Sequence, residues 1–87
     1  MNHFLYILYS SKIDKYYIGR SQNPHKRLIS HNDYPKGWTS RGVPWKLVFV
    51  KEFPDKKDAS FWESFIKKQK SRDIIDKIIS KEFDWNL

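Results

Sequence analysis

Residues Tyr16–Asn32 read YYIGRSQNPHKRLISHN, and this one stretch contains both kinds of element from which the chain is built. Tyr16-Tyr17-Ile18 is aromatic and β-branched, which suits a pleated strand. Asn23 can cap a helix, and Pro24 fits the first helical position, where no N–H donor is needed. The pattern predicts a strand that gives way to a helix running to about Asn32.

On the N-terminal side, FLYILY (Phe4–Tyr9) is apolar throughout, as a strand buried on both faces should be. The polar stretch SSKID separates it from KYYIGR (Lys15–Arg20), so the two strands form an antiparallel hairpin. On the C-terminal side, DYPKGWTSRGVPW (Asp33–Trp45) carries two prolines and two glycines and reads as a loop. KLVFVKEF (Lys46–Phe53) is a third strand. Asp55 then caps a helix from about Lys56 to Lys70. Ser71 or Asp73 caps a last helix, whose apolar stripe is Ile74, Ile75, Ile78 and Ile79. No repeat, low-complexity tract or linker interrupts residues 1–87. The expected architecture is a single α+β domain of order ββαβαα, a small three-stranded antiparallel sheet flanked by about three helices.

The chain has 87 residues, 17% of them aromatic, which makes one small but stable core credible. It has no cysteine, so neither disulfides nor thiolate-bound zinc can support it. The start MNHFLYILYSSK has no basic leader or small-residue cleavage pattern, and nothing approaches the roughly 20 apolar residues of a membrane span. A soluble, cytoplasmic protein without membrane association is expected. The net charge of +7 is large for this length. Lysines and arginines recur from Lys12 to Lys81 rather than forming a tail. A folded basic surface points to a polyanion, most often nucleic acid, although it also serves solubility alone.

Side chains that could do chemistry are spread along this framework. Tyr6 and Tyr17 lie on the two arms of the hairpin, where facing positions share a surface. Arg27 and His31 are four apart on the first helix and project from the same side. Glu63 lies within ASFWESFI (Ala59–Ile66). The stripe of Ala59, Phe61, Trp62, Phe65 and Ile66 places it at the border of a buried face, where a metal ligand or an ordinary surface acid would sit. Gly19 either ends its strand or lets a phosphate approach the sheet. Taken singly, each of these residues has a plain structural reading.

Together and in order, Leu5-Tyr6-Ile7, Tyr17-Ile18-Gly19, Arg27, His31 and Glu63 resemble the GIY-YIG nuclease superfamily, most closely its small single-domain members. The resemblance runs over nearly the whole chain, through Trp38-Thr39-Ser40-Arg41 and the third strand. It implies that Tyr17 is the general base or positions the attacking water, with Tyr6 supporting it. Arg27 would stabilise charge on the scissile phosphate, and His31 would transfer a proton or contact phosphate. Glu63 would be the one carboxylate holding a single divalent ion, Mg²⁺ or Mn²⁺. Two positions depart from the pattern. Leu5 stands where the first tripeptide opens with glycine, and no asparagine follows between Glu63 and Lys81, Asn86 being close to the end of the chain.

Phosphodiester hydrolysis needs an activated water, stabilisation of extra negative charge and a protonated leaving oxygen. A free tyrosine, with a pKa near 10, is ionised in only about one molecule per thousand at neutral pH, so a tyrosine base needs cations nearby. Arg20 and Arg27 can supply them. One carboxylate suits one Mg²⁺ whose coordination is completed by water and substrate, and no clustered acids exist for a second ion. Lys26, Lys36, Arg41, Lys67, Lys68 and Lys70 could track a phosphate backbone, while Trp38 either stacks on a base or packs the long loop. The expected activity is a metal-dependent endonuclease hydrolysing phosphodiester bonds in DNA, structure-selective or weakly specific, in repair or recombination. No small-molecule cofactor is expected, and the assembly should be a monomer or weak dimer. Two alternatives stand beside it: a nucleic-acid-binding module on the same scaffold that cuts little, and a partner-binding domain resting on exposed aromatics.

Overall fold

The structure, a computed structural model, describes residues 2–34 and 36–85; Asn86 lies outside them. It is an α+β fold with the expected ββαβαα order: β1 (His3–Ser10), β2 (Lys15–Ser21), α1 (Pro24–Asp33), β3 (Lys46–Phe53), α2 (Lys56–Gln69) and α3 (Arg72–Ile79). The sheet is antiparallel with strand order β2-β1-β3. Each helix begins where a short polar side chain accepts from a free backbone N–H. Asn23 receives Lys26 N at 3.1 Å, Asp55 receives Asp58 N at 2.9 Å and Ser71 receives Ile74 N at 3.4 Å. Caps of this kind contribute about 1 kcal/mol each.

β1 is the middle strand, and that explains its unbroken apolar sequence. Leu5, Tyr6, Ile7 and Leu8 are all buried, alternating between two cores. Leu5, Ile7 and Ile18 pack against Ala59, Trp62, Ile66 and Ile78 of α2 and α3. Tyr6 and Leu8 face the other way, onto Trp45, with Leu28 of α1 beside them. The residue at position 5 therefore fills the helical core, which accounts for leucine where the family pattern opens with glycine. The stripe on α2 is narrower than expected. Ala59, Trp62 and Ile66 are buried, but Phe61 is 57% exposed, because it projects away from the sheet on the outer side of the helix.

The segment read as a plain loop contains a 3₁₀ helix, Gly37–Gly42. Trp45 anchors it. Its indole N–H donates to Thr39 O at 2.9 Å, and Gly42 sits so close that a Cβ there would meet the indole at 2.5 Å. Asn32 at the end of α1 holds the Trp45 backbone from both sides, accepting from its N–H at 2.6 Å and donating to its carbonyl at 3.0 Å. No helix among the described residues is long and apolar enough to cross a membrane. Asn32→Ala leaves two polar groups of Trp45 without these partners and is expected to cost about 1–3 kcal/mol, read as a lower urea midpoint with an unchanged slope.

Candidate active site

In the hairpin register Tyr6 lies opposite Gly19 and Leu8 opposite Tyr17, so both phenols stand on the same face of the sheet, diagonal to each other. Their rings are 6.3 Å apart and nearly parallel, with an interplanar angle of 29°. The room for this comes from Gly19. A Cβ at that position would lie 2.5 Å from the Tyr6 hydroxyl and 3.1 Å from the Tyr17 ring. The close approach that glycine permits is thus made by a phenol of the protein itself. Gly19 is not a gap through which phosphate reaches the sheet, because Tyr6 occupies the space.

Helix α1 brings Arg27 and His31 onto this face. The His31 ring lies 4.5 Å from that of Tyr17, and its Nε2 is 3.5 Å from the Tyr6 hydroxyl. The Arg27 guanidinium lies against both phenols. Burial pushes the Tyr6 pKa above its ordinary value. The Arg27 hydrogen bond opposes this, while the Tyr17 and Glu63 charges reinforce it. Tyr6 keeps its proton at neutral pH. His31 moves the other way: burial first, then the Arg27 charge, lower its pKa from 6.5. Its ring is therefore neutral at pH 7 and can accept a proton.

Tyr17, Arg27 and His31 border a hollow of about 600 Å³ with Ser30, Tyr34 and Trp38, and Lys36, Gly37 and Thr39 complete the wall; Tyr6 is buried behind them and does not line it. Trp38 packs the loop, as one of its two readings expects. One side packs on Tyr17 and Trp45, with ring centroids 6.1 and 5.7 Å away, and half of its surface remains exposed at the rim. Lys26 and Arg41 are exposed, on α1 and the 3₁₀ helix. His25 is exposed, and His3 is half-buried with an Nδ1 that has no hydrogen-bond partner among the described residues.

Glu63 arrives from the opposite layer. Its helix packs on the Leu5–Ile7–Ile18 face, but the carboxylate reaches the edge of β2, half-buried. There Oε1 is 3.2 Å from Arg20 Nε and Oε2 is 3.4 Å from Lys67 Nζ. The Arg20 contact is an ion pair rather than a directed hydrogen bond, since that buried N–H is not aimed at the oxygen. Lys67 links the two sides of the strand, its ammonium also lying 6.0 Å from the centre of the Tyr17 ring. Arg20 points to the helical layer and toward the acid, away from the face that carries Tyr17, because its neighbour Gly19 occupies the phenol side of the alternation.

Among the described residues, no group of three or more His, Cys, Asp and Glu side chains is placed to hold a metal ion. Glu63 fits a single hard cation whose remaining ligands are water and phosphate oxygens, as Mg²⁺ accepts. Lys67, half-exposed at 51%, is able to move aside, and an exposed i,i+4 pair is worth only about 0.3–0.5 kcal/mol. Sequence reasoning placed Lys67 among phosphate contacts and missed its place beside the acid. The four-residue spacing from Glu63 was the available signal.

Tyr17, Arg27 and a neutral His31 thus line one hollow, with Tyr6 buried behind them and the Glu63 carboxylate at the strand edge. The chain belongs to the GIY-YIG family: the family described as the GIY-YIG catalytic domain matches residues 2–77. It is similar to the UPF0213 protein YazA of Bacillus subtilis, 36% identical over 77% of this chain and 68% of that one. A UPF0213 protein of Streptococcus pneumoniae is 31% identical over 97% of this chain and 84% of its own length. The solution NMR structure of a UPF0213 protein from Bacillus halodurans shares the fold with a TM-score of 0.58 and 29% identity, covering 94% of this chain and 86% of that chain. Family membership places the protein among nucleases that act on nucleic acid.

Gly19→Ala should force the Tyr6 phenol out of its place, costing about 1–3 kcal/mol in chemical denaturation. The His31 ring resonances should shift with it in an NMR spectrum of the still-folded variant.

Proposed function

We propose that this protein is a divalent-metal-dependent endonuclease that hydrolyses phosphodiester bonds in DNA, selecting its substrate by structure more than by sequence. The observation that supports the reading most strongly is the convergence of Tyr17, Arg27 and His31 on one hollow, with Tyr6 buried against Tyr17 and His31 behind it and Glu63 within reach of the same lysine as Tyr17. The net charge of +7 favours a polyanionic substrate, and phosphate contacts from Lys26, Lys36, Arg41, Lys68 and Lys70 position it without reading bases.

In this reading the scissile phosphate enters the hollow and meets Arg27, a permanent cation that stabilises the charge gained on attack. Tyr17 orients the attacking water. His31, neutral at pH 7, accepts the proton of that water at its unprotonated ring nitrogen. Tyr6, held protonated, fixes the His31 ring and steadies Tyr17. Glu63 would hold the divalent ion, which when bound supplies Lewis-acid stabilisation to the phosphate and leaving oxygen.

A second reading, DNA binding with no cleavage, is favoured by one observation: both Glu63 oxygens already face a cation. Cleavage of duplex, branched and single-stranded DNA by pure protein with Mg²⁺, then with chelator, separates the two. Arg27→Ala and Glu63→Gln should each lower the rate on the order of 100-fold or more while DNA binding persists. Equal rates in wild type and both variants would assign the cutting to a contaminant.

The rate should also depend on pH in a set direction. Protonated His31 cannot accept a proton, so activity falls as pH drops through a His31 pKa that lies below 6.5, and it is level above that range. His31→Ala should be slow throughout and lack this acid limb.

A further inference from the structure

We infer that Lys67 is a resident counter-cation that keeps Glu63 closed to a divalent ion until DNA phosphate arrives, so that metal and DNA bind cooperatively. The inference rests on the proposed function in taking Glu63 as the ion's ligand. It goes beyond that reading in giving this lysine the role of coupling the two ligands.

The two cations at Glu63 are not equivalent. Arg20 comes from β2, its side chain is 30% exposed and its Nε is buried, so it is fixed in place against Oε1. Lys67 comes from the next turn of α2, is half-exposed, and touches only Oε2. Arg20 therefore orients the carboxylate, and the oxygen left for any incoming cation is the one that Lys67 holds. An ion arriving there must break that contact and then sit beside two positive charges with one carboxylate to offset them. In the free protein this opposes binding.

DNA reverses the balance. The Lys67 ammonium already lies 6.0 Å from the Tyr17 ring centre and lines a smaller cavity with Tyr17 and Trp38, the two aromatic residues it shares with the wall of the hollow. A phosphate in that hollow offers Lys67 a new anionic partner, releases Oε2 and adds negative charge beside the ion. Each ligand thereby strengthens the other, and by linkage the effect is equal in both directions. A divalent ion is not held idle between substrates.

Mn²⁺ binding to the protein without DNA, followed by electron paramagnetic resonance, tests this independently of cleavage. Lys67→Met should bind Mn²⁺ on the order of tenfold more tightly than wild type, the scale of one removed charge repulsion near a surface. Lys67→Arg, which keeps the charge, should stay within about twofold of wild type. Glu63→Gln should abolish the gain in the Lys67→Met background. Adding a phosphorothioate duplex that resists hydrolysis should tighten Mn²⁺ binding in wild type and do so much less in Lys67→Met. Equal Mn²⁺ affinity in wild type and Lys67→Met, including no binding by either, overturns the inference. So does a gain that survives Glu63→Gln. Failure to cut any DNA would remove the nuclease reading while leaving the Mn²⁺ result to stand or fall by itself.

Discussion

The structure depends on one close contact, the phenol of Tyr6 lying across Gly19. Tyr6 is in the middle strand and fully buried, and its hydroxyl meets His31 from behind the wall of the hollow. Only the absence of a side chain directly opposite, on the neighbouring strand, allows the ring to lie in that direction. The same register sets Tyr17 diagonal to Tyr6 and turns Arg20 to the other face. A slip of one residue between these strands would exchange the faces of every group on β2. The short hairpin loop and the two-sided burial of β1 hold the register, so the core and the site have a common geometric origin.

A sheet of three strands has little width, and here that is useful. β2 is an edge strand, and its two faces belong to different layers: α1 and the 3₁₀ helix on one side, α2 and α3 on the other. A group on either layer needs only to reach past one strand to join the same site. Glu63 does so from α2, and Lys67 bridges the remaining gap to Tyr17. In a wider sheet the same residues would be separated by a further strand spacing of about 5 Å. Eighty-seven residues can therefore supply five functional side chains from four elements without any long insertion.

The framework was legible because its signals are local. β3 was read to its exact ends, the caps at Asn23, Asp55 and Ser71 sit where short polar side chains precede apolar periodicity, and the apolar run of β1 marked a strand covered twice. The 3₁₀ helix was not legible. It exists through Trp45, Asn32 and Gly42, specific side-chain contacts within one short stretch of chain that no helical propensity encodes. At the site, the family pattern identified which residues to examine, and alternation along strands placed the two phenols. Phe61 went astray because a helical stripe read from five residues is too broad to tell its border from its outside. Arg20 and Lys67 are the instructive pair. Composition showed them as positive charge available for phosphate; the i,i+4 spacing could have placed Lys67 beside Glu63, whereas only the three-dimensional path of β2 brings Arg20 to the same carboxylate.

That expenditure has a consequence for how the protein meets its ligand. Arg20, Lys67 and Arg27 surround a site containing a single ionised acid, so in the free protein the local balance is positive. Burial first, and then the Arg27 charge alone among these cations, lower the His31 pKa and leave the imidazole neutral. Positive charge and a neutral base conflict in most environments, because a cationic site that attracted anions by protonating its histidine would lose the base. Here permanent cations provide the attraction, and the histidine is spared. Arginine suits that task because it does not titrate in the working range, and lysine because it can swing between the carboxylate and a phosphate. A polyanion arriving at the hollow would meet Arg27, whose charge does not depend on pH, beside an imidazole that burial and that same charge keep neutral.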